Sequence, residues 1–430
     1  MNKRTVKFFT FYFLSFLIAS IIYSLTFQGG ILDADYVYCT IVKDLEVNIG
    51  NFSTNIPYTF SCDEGDYFLI FESLNNIYSE KDFKYQNRPV YLLFTYLIYI
   101  PLSLLNIETL ILYKFVHLNA QIFTVMLLTL LFNKIFELEN NIKNYISTYF
   151  LFSLSPLIKW SMFDVGHHIT TVFILLLGVL VYKNKYLVKS NLFQISLGLF
   201  FLTHRSSITL ILFCLIISIV YRKEIDIKPF NYISLLINPL MPILFHELLK
   251  QLNNSGGDQN VDLYNQFFWI FDYFNNLPLK TTGWYCQSIP ENFVCYISDS
   301  YSTLIYLAPL TLFVIICTIY IYFTNQNFSE VKGLFYISTI QFFFWSFIGW
   351  YPPVRFSYYA IGNLIIILSV LFFHKFLNER VKLAYLFAYS YLLIQIEHWN
   401  VENFNLLEIE NTILLIIFIF SLMYKNNYKE

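Results

Sequence analysis

The stretch Val90–Leu105 reads VYLLFTYLIYIPLSLL, and its disposition decides the fold. It is apolar and just short of the roughly 17–25 residues that a spanning helix needs. If it crosses a bilayer, every later loop changes side. If it lies along the surface, none does. Arg88-Pro89 precedes it, and proline is favoured at the first position of a helix, so a fresh helix starts there.

The surrounding chain makes a bilayer the relevant solvent. Of its 430 residues 57% are hydrophobic, 20% aromatic and only 13% charged, with a mean hydropathy of +0.54. Charged residues make up about 25% of an ordinary soluble domain. This much apolar surface exceeds what one water-soluble core can hide, which excludes soluble enzymes, secreted modules and disordered chains. A net charge of -2 argues against a nucleic-acid partner, which favours a basic domain. The expected fold is an all-α polytopic membrane protein, read as a single domain over 1–430. Candidate spans are 8–26, 107–132, 144–160, 169–183, 192–203, 207–221, 231–250, 301–323, 333–350, 357–375, 383–397 and 411–424. Met1 to Lys7 followed by an apolar run resembles a signal peptide, but the run is long enough to span and is read as a retained first helix.

Basic residues arbitrate the side of each loop, because cytoplasmic loops are enriched in Lys and Arg. With 90–105 on the surface and the N-terminus cytoplasmic, the inner loops hold 17 of the 27 basic residues. These are Lys3, Arg4, Lys7, Lys134, Lys143, Lys183, Lys185, Lys189, Arg222, Lys223, Lys228, Lys332, Lys375, Arg380, Lys382, Lys425 and Lys429. The outer loops hold 8: Lys43, Lys81, Lys84, Arg88, Arg205, Lys250, Lys280 and Arg355. Lys114 and Lys159 fall within runs. Were 90–105 to cross, the 14 later inner residues would exchange with the 4 later outer ones, leaving 7 inside and 18 outside. A non-crossing placement follows, with 90–105 a juxtamembrane or re-entrant helix on the outer leaflet: about 12 transmembrane helices, both termini cytoplasmic, and a long first extracytoplasmic loop (27–106) carrying juxtamembrane helices. A second long outer loop covers 251–300.

Cys39 and Cys62 share the first outer loop and Cys286 and Cys295 the second, which suits disulfides in an oxidising compartment. Cys214 and Cys317 lie in apolar runs and read as small buried hydrophobes. The outer face also holds the residues able to do chemistry. Asp63, Glu64 and Asp66 put three carboxylates within four residues, followed by Tyr67; Asp33 and Asp35 repeat the pattern. Acids in a polar loop are commonly just solvated. Lys159, Asp164, His167 and His168 fall in a short outer connection, where Asp164 doubles as a potential helix cap and Lys159 can snorkel. Arg205 and Arg355 stand out among 6 Arg against 21 Lys. Each is either a headgroup-level anchor or a two-pronged donor for a lipid phosphate. Ionisable groups at a membrane boundary are costly and therefore functional candidates.

The order of these motifs resembles the GT-C superfamily of membrane glycosyltransferases, in its protein-mannosyltransferase and aminoarabinose-transferase-like branch. Asp63-Glu64-Gly65-Asp66-Tyr67 resembles the acidic motif of that family's first loop, and Asn87-Arg88-Pro89-Val90-Tyr91 the Arg-Pro stretch after it. Ser155-Pro156 with Asp164 resembles the second acidic position, and Arg355-Phe356-Ser357-Tyr358-Tyr359 a late Arg-Tyr element. The resemblance covers about residues 1–220 by motif and the rest by architecture. The cysteine-bearing insert from Asp33 to Cys62 departs from the pattern, so the first acidic pair is either Asp33/Asp35 or Asp63/Asp66.

The resemblance implies transfer of a sugar from a polyprenyl-phosphate carrier on the extracytoplasmic face of a bacterial inner membrane. Asp63, Glu64, Asp66 and Asp164 would be catalytic. Arg205, Arg355 and Lys159 would bind the donor phosphate, and Arg88, Tyr67 and His167 would position the loop. Clustered carboxylates can hold a divalent metal, but these motifs do not demand a cofactor. Rival readings are an O-antigen or exopolysaccharide polymerase, in which outer arginines dominate, and a transporter or flippase, which predicts internal repeats. Single cysteines test the topology: Ser161→Cys labels with an impermeant thiol reagent from outside and Asn325→Cys does not. The reverse pattern contradicts it.

Overall fold

The computed structural model describes residues 3–26, 41–49, 52–60, 78, 89–105, 109–155, 158, 169–253, 329–346, 358–375, 377, 379, 381–383 and 385–387. Apart from one hairpin, the regular elements of this part are helical. In chain order the helices of eleven or more residues are α1 (Lys3–Thr26), α2 (Pro89–Leu102), α3 (Thr109–Ile135), α4 (Ile142–Ser153), α5 (Thr170–Lys183), α6 (Asn191–Phe201), α7 (Ile208–Val220), α8 (Pro229–Leu252), α9 (Ser329–Ser346) and α10 (Asn363–Lys375). Among the described residues two segments, Phe115–Ile135 of α3 and Asn231–Leu252 of α8, are long and apolar enough to cross a membrane.

Local chemistry sets several boundaries. Asn141 caps α4 by accepting the Asn144 amide at 2.8 Å, satisfying one of the free N–H groups of a helix start. Ser190 does the same for α6. Pro229 opens α8 at a position where its missing N–H costs nothing. The hairpin, β1 (Ile41–Ile49) with β2 (Phe52–Phe60), is antiparallel and pairs Ile49 with Phe52, so only Gly50-Asn51 joins the strands. A Gly-Asn pair between alternating segments is a hairpin signal. This hairpin lies inside the first long loop, where the sequence reading foresaw helices alone.

Ion pairs gather many helix ends at one pole of the bundle. The Lys183 ammonium, at the end of α5, reaches Glu137 beyond α3 at 2.8 Å and Glu330 at the start of α9 at 2.7 Å. Lys185 reaches Glu224 beyond α7 at 2.8 Å. Glu379, beyond α10, accepts from both Lys143 of α4 and Lys382. Hydrogen bonding from Lys183 holds the Glu137 carboxyl below its ordinary range, and Lys143 does the same for Glu379. Lys7 of α1 donates to the Asn140 carbonyl at 2.8 Å and to its side chain at 2.6 Å.

The Lys7–Asn140 contact puts the start of α1 beside the residues that follow α3. α2 lies against the first half of α3, where the buried Tyr91 hydroxyl shares a 2.8 Å hydrogen bond with His117 Nδ1 and accepts from Gln121 at 3.0 Å. The α2 face carrying Leu93, Leu97 and Ile100 is exposed.

Glycines permit the closest helix contacts. Between the antiparallel α5 and α9, Gly178 faces Ile337 and Gly333 faces Tyr182, so each helix offers a notch to the other. Small residues at crossings are the usual means of close approach for helices in lipid. At the α6–α8 contact, a Cβ on Gly198 would fall on the Pro239 backbone carbonyl. Asn238 clamps the same contact by donating to Gln194 Oε1 at 2.6 Å and Asn191 Oδ1 at 3.2 Å.

Gly198→Ala therefore destabilises the protein, by about 1–3 kcal/mol for overpacking. This outweighs the roughly 0.5–1 kcal/mol that alanine gains in a helix. Gly178→Ala costs less, because its nearest neighbours are Ile337 side-chain atoms at 2.7–2.9 Å rather than a still closer backbone carbonyl oxygen. Thermal unfolding in detergent checks the ranking, and a stabilised Gly198→Ala would contradict it.

Candidate functional site

At the opposite pole, uncharged polar side chains gather in an otherwise apolar bundle. After α6 the chain reverses through Leu202 to Ser207 and enters α7 by a single 3-10 turn, Arg205–Ser207. His204 shapes this turn. Its backbone is extended, and its Nδ1 accepts the Ser206 amide at 3.2 Å and lies 2.6 Å from Ser206 Oγ. With Nδ1 serving as acceptor, the neutral ring carries its proton on Nε2. Thr209 donates to the Ser206 carbonyl at 2.6 Å and closes the corner.

The His204 ring meets Tyr359 edge to face, with centroids 5.5 Å apart. Tyr359 is fully buried and belongs to a π turn, Tyr358–Gly362, that leads into α10. Such widened turns recur at functional sites. Just beyond it, Asn363 donates from Nδ2 to Thr171 Oγ1 at 2.9 Å and to the Tyr359 carbonyl at 3.1 Å. Ser338 of α9 donates to the Ala360 carbonyl at 2.8 Å. Four segments thus converge: the turn before α7, the start of α5, the π turn, and α9.

Hydrogen-bonding capacity is left over here. Asn363 Oδ1, Ser207 Oγ and both amide atoms of Gln341 are buried and have no hydrogen-bond partner among the described residues. Buried polar atoms are nearly always paired, and an unpaired one costs roughly 1–3 kcal/mol. Arg205 is half-buried in the same turn and brings a permanent cation to it. Cation, hydroxyls and amides together can bind a ligand that combines an anion with hydroxyl groups. The same pole carries the Tyr91–His117–Gln121 group, and the 3.2 Å contact of Tyr78 with His246 near the end of α8.

Arg205 is the residue expected from sequence that the structure brings into this cluster. Asp63, Glu64, Asp66, Tyr67, Arg88, Lys159, Asp164, His167 and Arg355 lie outside the described residues, as do Cys39, Cys62, Cys286 and Cys295. The alternative acids Asp33 and Asp35 do too. Cys214 is buried in the core, as its apolar run implied. Among the described residues no group of three or more His, Cys, Asp or Glu is placed to hold a metal. Sequence reasoning passed over Thr171, Gln341 and Asn363. Each is a polar residue inside an apolar run, and that was the available signal. No protein-family model matches the chain, and no curated protein or solved structure matches it either.

Proposed function

We propose that the chain is an all-α polytopic membrane enzyme of about twelve crossings that transfers a sugar from a polyprenyl-phosphate donor at the pole carrying Arg205. The observation that carries this reading is the group of buried polar atoms on Ser207, Asn363 and Gln341 with no hydrogen-bond partner among the described residues, Ser207 lying in the same turn as Arg205. A phosphate-linked sugar needs a fixed cation for the departing phosphate and neutral donors and acceptors for the hydroxyls. The outward faces of the bundle support a lipid surrounding: Ile237, Met241, Leu244, Phe245 and Leu248 of α8 are each more than half exposed. An exposed apolar face of that extent suits acyl chains or a polyprenyl tail.

In the proposed reaction the acceptor hydroxyl oxygen attacks the anomeric carbon. Its proton passes to a carboxylate base, Asp66 or Asp63, as the carbon–oxygen bond to the phosphate breaks. The donor leaves as polyprenyl phosphate, its developing charge held by Arg205, Arg355 and Lys159. Asp164, on the connection between Ser155 and Ile169, orients the reacting partners. Glu64 supports the first acidic motif, while Arg88, Tyr67 and His167 position its loop. Cys39 with Cys62, and Cys286 with Cys295, brace the two long loops. A divalent metal at the acidic cluster would neutralise phosphate charge, and no step requires it. The active face is extracytoplasmic, in a bacterial inner membrane with both termini in the cytoplasm.

In the alternative, polymerase-like reading the outer arginines rather than the aspartates carry the reaction. Glycan product from purified variants separates the two. Asp164→Ala, and Asp63→Ala with Asp66→Ala, abolish product while the protein stays folded. Arg205→Ala lowers turnover about 10²–10³-fold, the usual effect of removing one charge-stabilising donor. Normal product from both aspartate variants with loss in Arg205→Ala would favour the polymerase. Normal product from all three would contradict a transferase at this pole.

A further inference from the structure

A cavity of about 470 Å³ opens at the ion-paired pole, far from Arg205. Its walls are apolar: Ile18 of α1, Ile146 and Phe150 of α4, Phe373 of α10, and Leu383 and Leu386 beyond it. Its rim is charged. Lys143 and Lys382 both contribute to the lining, and among the described residues the one carboxylate between them is Glu379. Two ammonium groups against one carboxylate give the described rim a net positive charge. Lys143 and Glu379 are 70% and 65% exposed, so this pair is held weakly and can part. Lys382 is only 19% exposed and lies 5.7 Å above the Phe373 ring, which fixes one cation at the mouth. Apolar side chains continue outward from the walls, with Leu17 and Ile21 exposed on α1 and Leu383 and Phe387 on the other side.

We infer that this cavity seats the headgroup of an anionic membrane phospholipid, its phosphate between Lys143 and Lys382 and its upper acyl chains along the apolar walls. The inference rests on the membrane part of the reading above and not on sugar transfer. A soluble phosphate compound would meet the same two lysines but would gain nothing from walls of Ile, Phe and Leu that run on to exposed apolar helix faces. The size falls within the range of ligand pockets and suits a headgroup with the tops of its chains. Basic pockets between helices at a cytoplasmic surface are suited to anionic headgroups. Glu379, held ionised by its two lysines, competes with the phosphate for them. Its removal should therefore strengthen the lipid interaction, whereas removal of the lysines abolishes it.

The opposite signs give the test. Wild type, Lys143→Gln with Lys382→Gln, and Glu379→Gln are placed in nanodiscs of phosphatidylcholine, with or without phosphatidylglycerol. Retained lipid is counted by mass spectrometry of the released complex, and the unfolding midpoint is recorded. Wild type retains phosphatidylglycerol over phosphatidylcholine several-fold and unfolds at a higher temperature with it. The double lysine variant loses both effects, and Glu379→Gln increases the retention. If the lysine and glutamate variants all lower it, the three residues form only a structural ion pair and the inference fails. It also fails if the double variant keeps the preference. A third failure is inorganic phosphate raising the midpoint in phosphatidylcholine alone as much as phosphatidylglycerol does. Protein that enters no nanodisc in any form would sink the membrane reading itself, visibly and separately. No arm depends on glycan synthesis.

Discussion

The Lys183 ammonium has three N–H groups and three acceptors: the Ile135 carbonyl at 2.8 Å, Glu137 at 2.8 Å and Glu330 at 2.7 Å. Lys183 is 23% exposed and Glu137 75%, so each pair contributes little alone, but three acceptors on one ammonium tie the finish of α3, the finish of α5 and the start of α9 to one point. The register of α5 on α9 follows from it. With Lys183 against Glu330, Tyr182 falls on Gly333 and Gly178 on Ile337, four residues further along each helix in opposite directions. Substituting either acid leaves part of the ammonium without a partner, whereas most single apolar contacts nearby can repack.

The bundle is polarised as a result. One pole concentrates the ion pairs of Lys183, Lys185, Lys143 and Lys382, and its cavity combines positive charge with apolar walls. The other pole is nearly without such pairs among the described residues and instead gathers His204, Ser206, Ser207, Thr171, Asn363 and Gln341. Buried polar atoms without a hydrogen-bond partner among the described residues occur at this pole on Ser207, Asn363 and Gln341, and elsewhere in the bundle on residues such as Thr129 and Asn133.

The helical character of the described part was legible in the sequence, because its helices coincide with long apolar runs. Span edges came within a few residues where an apolar run and the helix coincide, as for 169–183 and α5. They slipped where something else intervened. The run 357–375 begins with a π turn before α10, and 144–160 outlasts α4, which stops at Ser153. The hairpin was passed over because the first long loop was read for its acids and cysteines. The alternation of Ile41–Ile49 and the Gly50-Asn51 junction were there to be seen. The site was legible only in part. Arg205 and His204 stand in a visible polar corner, but Thr171, Gln341 and Asn363 are single polar residues within long apolar runs. Hydropathy averages them away, and only their convergence in space gives them meaning.

The central claim is that the pole around Arg205 holds a phosphate-linked sugar on a polyprenyl tail. Solvent extraction of the gently purified protein, followed by mass spectrometry of the released lipids, tests it most directly. The account predicts a polyprenyl-phosphate sugar, present with the wild type and depleted with Arg205→Ala. Ordinary phospholipids alone, identical in both preparations, would contradict it.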